Sequence, residues 1–287
     1  MSAGRIGVIG GSGLYGMEGL ENIREVEVDT PFGAPSDAYM IGTLHDRELV
    51  FLPRHGRGHR IAPSALNSRA NIHGFKQLGA EWILSVSAVG SMREDIHPGD
   101  FVLPDQFFDR TRGRVSSFFD HDVVVHVTFA DPTCAQLGQT VYEAASAAGA
   151  KVHTGGTYLC IEGPQFSTRA ESRIYRQWGV DVIGMTNLPE ARLAREAELC
   201  YVTIAMATDY DCWHENAGDV DVEAILTLLH RNAKLAQDLI RQAVPKIPRE
   251  RSCPCSTALQ YAIITAPEMI PAAAKERFGL LLGAYLT

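Results

Sequence analysis

The sequence predicts an α/β fold, and three observations predict it. Short apolar runs with strand character recur along the chain. Stretches with apolar residues at helical spacing separate them. The apolar runs repeatedly end on Ser, Thr or Asp, which lines ligand-binding groups along one edge of a sheet. Of 287 residues 46% are apolar, enough for one large core or two smaller domains. The formal charge is -8 and the basic residues are scattered, so nothing reads as a nucleic-acid footprint. No apolar run approaches the length of a membrane span. The first apolar run is short and broken by glycines, a poor signal peptide. A cytoplasmic chain is expected, with neither nucleic acid nor membrane as partner; local arginines still permit a small anionic ligand.

Residues 5–9 form a short strand entering Gly10-Gly11-Ser12-Gly13. The string from Gly11 to Gly16 matches GxGxxG, yet no clear helix follows, so a dinucleotide fingerprint is weakly supported. What remains is a tight turn whose amides and Ser12 hydroxyl suit an oxyanion. Residues 37–43 and 48–53 read as a hairpin. Its second strand runs into Arg54-His55-Gly56-Arg57-Gly58-His59-Arg60. That cluster is either a solvated basic loop or an anion site, since arginine forks match phosphate oxygens. A helix is predicted over 64–78, with Leu66, Ala70, Ile72 and Phe75 inward. Residues 82–88 form a buried strand ending at Ser87 and Ala88, and this repeats the arrangement at Ser12. Residues 101–103 begin another strand.

Residues 109–122 read as a long loop in which Phe118, Phe119 and His121 are exposed unless a partner covers them. His126, in VVVHVTF, reads from its surroundings as a core histidine. Residues 134–148 form a helix stopped by Gly149. A strand over 156–160 leads to Ile161-Glu162-Gly163-Pro164-Gln165-Phe166, and an arginine-rich helix follows over 168–178. A strand over 180–184 leads to Met185-Thr186-Asn187, then a helix over 191–197. The stretch YVTIAMATDYDCW is the centre of the chain: a strand covered on both faces ends on Asp209 and Asp211, with Trp213 beyond. Two acids at the carboxyl end of a buried strand suit a functional crevice, and apolar surroundings push such acids toward neutrality. The alternative is an aspartate pair that caps a helix or holds a cation. A long helix is predicted over 220–244.

The segments GVIGGSGLY, DTPFGAPSD, LPRHGRGH, YLCIEGPQFSTRAES, MTNLPEARLAREAELCY and ATDYDCW resemble those of the purine nucleoside phosphorylase superfamily, and within it the branch acting on 5'-methylthioadenosine. The likeness runs from about Arg5 to about Ile240. It implies one α/β domain around a distorted mixed β-sheet flanked by helices. Residues 1–245 are then the catalytic domain, and 246–287 a tail and helix packed on it. It implies a homotrimer, with hexamers in some relatives, and neither metal nor nucleotide cofactor; inorganic phosphate is a co-substrate. This displaces the dinucleotide reading.

The resemblance assigns Ser12, Arg54, His55, Ser87, the Ala88 amide and Thr186 to phosphate. Relatives often carry threonine where this chain has Ser12 and Ser87; both keep a hydroxyl. It puts Phe166 on the purine ring, the Met185 backbone at the ribose hydroxyls, Asp209 at purine N7 and Asp211 near the exocyclic amine. His126 then reaches across a subunit interface toward the 5' group, and Val220, Val222 and Ile225 line the methylthio pocket. Phosphorolysis by this set is expected. A 6-oxopurine nucleoside or methylthioinosine phosphorylase shares much of it, and a non-catalytic nucleoside-binding protein is the reading from another class. Some relatives carry a Cys-x-Cys disulfide in the tail; for Cys253-Pro254-Cys255 free thiols are expected. No neighbouring Cys or His in the sequence completes a metal set around them. Both are predicted to be dispensable for catalysis.

Overall fold

The computed structural model describes residues 4–11, 13–119, 121–214 and 222–286; within the last stretch the side chains of 222, 224–227 and 229–231 lie outside it, as does that of Tyr15. The strands in chain order are β1 (Arg5–Gly10), β2 (Glu21–Val26), β3 (Tyr39–Leu44), β4 (Arg47–Pro53), β5 (Ala80–Ser91), β6 (Phe101–Leu103), β7 (Gln106–Arg110), β8 (Val152–Thr154), β9 (Thr157–Ile161), β10 (Val182–Gly184) and β11 (Cys200–Asp209). The helices are α1 (Ser68–Gln77), α2 (Ala135–Ala147), α3 (Arg169–Gln177), α4 (Asn187–Glu196), α5 (Val222–Ala243), α6 (Ala272–Arg277) and α7 (Gly279–Leu282). The strands form one mixed sheet. Its main path is β2-β3-β4-β1-β5-β10-β9-β7, and β11, β6 and β8 branch from β5.

Alternation along the strands separates two cores. Trp82, Leu84 and Val86 of β5 join Ile6 and Val8 of β1 on one face, against Leu137 and Val141 of α2 and Leu239 and Ile240 of α5. Ile83 and Val89 join Ile9, Val50 and Leu52 on the other, against Ile72 and Phe75 of α1 and Leu193 of α4. Burying each such side chain stabilises by roughly 1.5–3 kcal/mol. This is the expected distorted mixed sheet between helices.

The distortion occurs beside β5. β1 pairs in parallel with β5 only as far as Ser85, and β10 joins antiparallel at Gly90 and Ser91. On the opposite edge β11 follows β5 from Trp82 to Gly90. The sheet therefore forks beside residues 86–89.

Several local expectations need revision. α1 starts later than residue 64, because Pro63–Ala65 form a separate 3-10 turn and Asn67 caps the helix through Ala70 N. The residues after the first glycine turn form only a 3-10 turn, Leu14–Gly16, followed by the exposed strand β2. The stretch 109–122 is not all loop, since β7 extends into it. Phe118 and Phe119 are buried, and no partner subunit is needed to cover them. They pack with Phe32 and with Phe278 of the tail. His121 is exposed as expected. Among the described residues no helix is long and apolar enough to cross a membrane.

Candidate active site

The carboxyl end of β4 delivers Arg54 into the fork. Its amide donates to the Gly10 carbonyl, and its guanidinium crosses from β1 to β5. Nη1 donates to Val86 O at 2.9 Å, and Nη2 to Ser85 Oγ at 2.7 Å and Ile9 O at 3.3 Å. Nε and Nη2 grip the Glu190 carboxylate of α4 at 2.8 and 3.1 Å. Glu190 also accepts from Ser85 Oγ and Tyr201 Oη. Both charges are buried, at 2% and 3% exposure. Arg54 thus works first as the clamp that holds the fork. Nη2 shares its two hydrogens among three acceptors, so one of the five hydrogens, on Nη1, has no bond among the described residues.

His55 donates Nδ1–H to the Ile61 carbonyl at 2.9 Å, which leaves Nε2 as an acceptor. Burial, with the Arg54 charge beside it, pushes its pKa down to about 4, so the ring is neutral at pH 7. On the facing side Thr186 precedes α4, and Asn187 is fully buried. The Ser87 and Thr186 hydroxyls both donate to Asn187 Oδ1, at 3.2 and 3.4 Å. Asn187 Nδ2 donates in turn to Tyr201 Oη and Thr203 Oγ1. Asn187 therefore aims the two hydroxyls that the resemblance gives to phosphate. Val86 points its carbonyl into the fork, toward Arg54. Ala88 is two residues further on and points its amide the same way, by strand alternation.

β11 carries Asp209 opposite Gly90. Asp209 Oδ1 accepts from the Asp211 amide at 2.7 Å, and Oδ2 lies 2.7 Å from Thr208 Oγ1. That hydroxyl also reaches the Val89 carbonyl at 3.2 Å. Having one proton, it can donate to Val89 and accept from a protonated Asp209. Burial pushes the pKa of both Asp209 and Asp211 up, and the Asp211 charge adds to the rise at Asp209. Asp211 sits at φ 52°, in the left-handed region, which turns the chain sharply behind the strand end. Trp213 closes that turn by donating Nε1–H to Ser91 O at 2.7 Å. Gly90 leaves the space: a Cβ there would lie 3.0 Å from Asp209 Oδ1 and 3.3 Å from Asp211 Cβ. Gly90→Ala is expected to lower kcat several-fold or more while the protein stays folded; kinetics at unchanged far-UV circular dichroism check this, and wild-type kcat would show that the carboxyls tolerate displacement.

Cys212 Sγ donates to Ser167 O at 3.3 Å, which brings the Phe166 loop beside the aspartate turn. Phe166 is 47% exposed there, an uncovered ring face. Arg114, which the sequence reading missed, fastens this loop to the next. Its guanidinium donates to the carbonyls of Met185 at 2.7 Å, Leu188 at 2.9 Å and Glu162 at 2.6 Å. Glu190 and Asn187 were missed as well. An amide and an acid in the first turn of a helix that directly follows a strand end were the available signal. His126 is exposed, so it is not a core histidine; its amide donates to Ala262 O of the tail. Ser12 and Val220 lie outside the described residues, and so do the side chains of Val222 and Ile225. A cavity of about 290 Å³ lined by Pro104, Gln106, Cys134 and Tyr142 includes none of these residues.

The sequence was also compared with known proteins. S-methyl-5'-thioadenosine phosphorylase of Geobacter sulfurreducens is 61% identical over 282 residues, which cover 98% of this chain and 99% of that one. The enzyme of the same name from Thermofilum pendens is 50% identical over 260 residues, 91% of this chain and 98% of that one. A methylthioadenosine phosphorylase from an antarctic soil metagenomic library superposes with a TM-score of 0.93 at 48% identity, covering 98% of this chain and 100% of that chain. Methylthioadenosine phosphorylase from Schistosoma mansoni in complex with adenine superposes with a TM-score of 0.82 at 35% identity, covering 97% and 98%. The family model of the phosphorylase superfamily matches residues 5–245. With the forked sheet and the groups gathered at its strand ends, these likenesses make the chain a member of the phosphorylase superfamily.

Proposed function

We propose that the chain catalyses phosphorolysis of 5'-methylthioadenosine, giving adenine and 5-methylthioribose 1-phosphate. The observation that carries this reading is one pair of neighbouring strands, β5 and β11, with two chemistries beside it. Ser87, the Ala88 amide, Thr186 and the remaining Arg54 hydrogen gather donors on one side. Two aspartates with raised pKa stand on the other. A phosphate oxygen attacks the anomeric carbon, and the bond from that carbon to purine N9 breaks with its electron pair going to the base. Asp209, as the acid, gives its proton to N7 of the leaving purine. Neutral His55 accepts a hydrogen bond or proton from a phosphate hydroxyl through Nε2. Ser87 and Thr186 turn their protons from Asn187 to the anion. Asp211 faces the exocyclic amine, Phe166 stacks on the ring, and the Met185 backbone meets the ribose hydroxyls.

Ser12 completes the anion site in this reading, and Val220, Val222 and Ile225 form the methylthio wall. A homotrimer places His126 at the 5' group of a neighbouring subunit. The exposed Val124, Tyr261 and Ile264 around it support an interface there. The test is adenine release from methylthioadenosine with and without phosphate. Release is expected only with phosphate, together with methylthioribose 1-phosphate. Equal release without phosphate would reject phosphorolysis.

A further inference from the structure

Four cysteines from three separate parts of the chain meet at the amino-terminal end of β11, the strand whose other end carries Asp209. Cys200 opens β11 and Cys134 stands at the N-cap of α2. Cys253 and Cys255 flank Pro254 at the start of the 3-10 turn Pro254–Thr257. Their sulfur atoms all lie within 4.8 Å of one another, with Cys200 and Cys253 at 3.2 Å. Cys134, Cys200 and Cys255 are buried, at 2%, 0% and 3% exposure. This corrects the expectation that no set completes a metal site around the Cys-Pro-Cys. The partners lie 53 residues or more away in sequence, and only the fold assembles them.

We propose that these four thiols form a tetrahedral zinc(II) site that fixes the tail to the catalytic strand. Zinc–thiolate bonds of about 2.3 Å place tetrahedral sulfurs about 3.8 Å apart. The observed cluster brackets that spacing, so small side-chain shifts suffice. Four protein ligands close the shell and leave no position for water, the mark of a structural rather than a catalytic ion. Soft thiolates in a tetrahedral set select zinc over magnesium, calcium or manganese. Binding releases the four thiol protons to solvent and involves no electron transfer. Cys253 is only partly buried and Cys134 lines the 290 Å³ cavity, which gives the ion a path inward.

The proposal links α2, β11 and the tail. Beyond the cysteines the tail bonds back to the domain at Glu198, which accepts from Leu259 N at 3.0 Å and Tyr285 Oη at 2.6 Å. The untagged full-length protein, purified under reductant, is measured for metal by plasma mass spectrometry and for native mass. About one zinc per chain is expected. It should fall to background in Cys253→Ser/Cys255→Ser, with a lower Tm but retained turnover at temperatures where the variant is folded. Replacing zinc with cobalt(II) should give the thiolate charge-transfer bands of a tetrahedral site; this needs no variant. Three results overturn the proposal. One is wild-type protein that stays metal-free after equilibration with zinc. Another is zinc that persists in the double variant. The third is a mass lighter by two or four hydrogens that reductant and zinc do not reverse, which assigns the cysteines to disulfides instead.

Discussion

Arg54→Ala is expected to lose both stability and phosphate use, the largest combined effect of any single substitution in this site. The guanidinium makes bonds to Glu190, Ser85, Val86 and Ile9, and its removal leaves the Glu190 carboxylate buried without its cation. Breaking a buried pair in that way costs about 3–5 kcal/mol, and Tm should fall by roughly 10 °C. The phosphate effect adds to this, because a buried charged hydrogen-bond partner contributes about 2–5 kcal/mol. Differential scanning calorimetry and phosphate-dependence curves read the two effects separately. A second substitution distinguishes them further. Arg54→Ala/Glu190→Gln carries no stranded charge, so it should regain much of the Tm and none of the phosphate use. Unchanged Tm and unchanged phosphate dependence in the single variant would show that the clamp contributes to neither.

Asp209→Asn is expected to change both rate and choice of base. An asparagine keeps the acceptor for the Asp211 amide but has no proton to give N7, and loss of a general acid typically costs about 10²–10⁴-fold in rate. The wild type should prefer methylthioadenosine to methylthioinosine by more than roughly tenfold in kcat/KM, the scale of one buried mispairing. Carboxyl oxygens accept from a 6-amino group and leave a 6-oxo group unpaired. The ratio should fall in the variant, whose amide, set at N7, can also donate to the 6-oxo group beside N7 on the same purine edge. A wild-type ratio near one, or one favouring methylthioinosine, would reject the assignment. The pH dependence follows from the raised pKa of Asp209. The acid form is present below that pKa, so the wild-type rate falls as pH rises through it, and the variant should lack this limb. The same shift makes the folded state bind more protons than the unfolded chain above pH 3.8, so this contribution to stability is lost as pH rises through the folded pKa.

Local signals made much of this fold legible. The apolar run before Asp209 became a wholly buried strand, because a sheet covered on both faces needs no polar alternation. Thr168 and Glu171 form a capping box at the start of α3, where a helix was expected. The strand β2 was invisible: five of its six residues are exposed and it carries no apolar alternation. Phe118 and Phe119 looked exposed because their covers, Phe32 for the first and Phe278 of the tail for the second, lie too far along the chain for any periodicity to connect. Of the site, the positions of Thr186 and Asp209 after strand endings could be read, but Ser87 and Ala88 do not end their strand as expected: β5 runs on to Ser91, and what lies beside them is the fork. Glu190, Asn187 and Arg114 could not be read, because each acts on a neighbour rather than on an expected ligand. Their meaning depends on which carbonyl or guanidinium the fold brings opposite them.

The fork beside residues 86–89 has a consequence for how this site tolerates change. Substitution can delete the hydroxyl of Ser87 or Thr186, or swap serine for threonine, but no substitution except proline deletes the Ala88 amide. On the proposed reading, part of the recognition is thus written in the sheet's topology and is shielded from most single-base mutation. In the proposed phosphate site the hydroxyls can drift around that fixed donor, and an exchange between serine and threonine leaves the anion with a partner throughout. A lineage can therefore tune affinity in small steps without ever passing through a protein that has lost its grip on the anion.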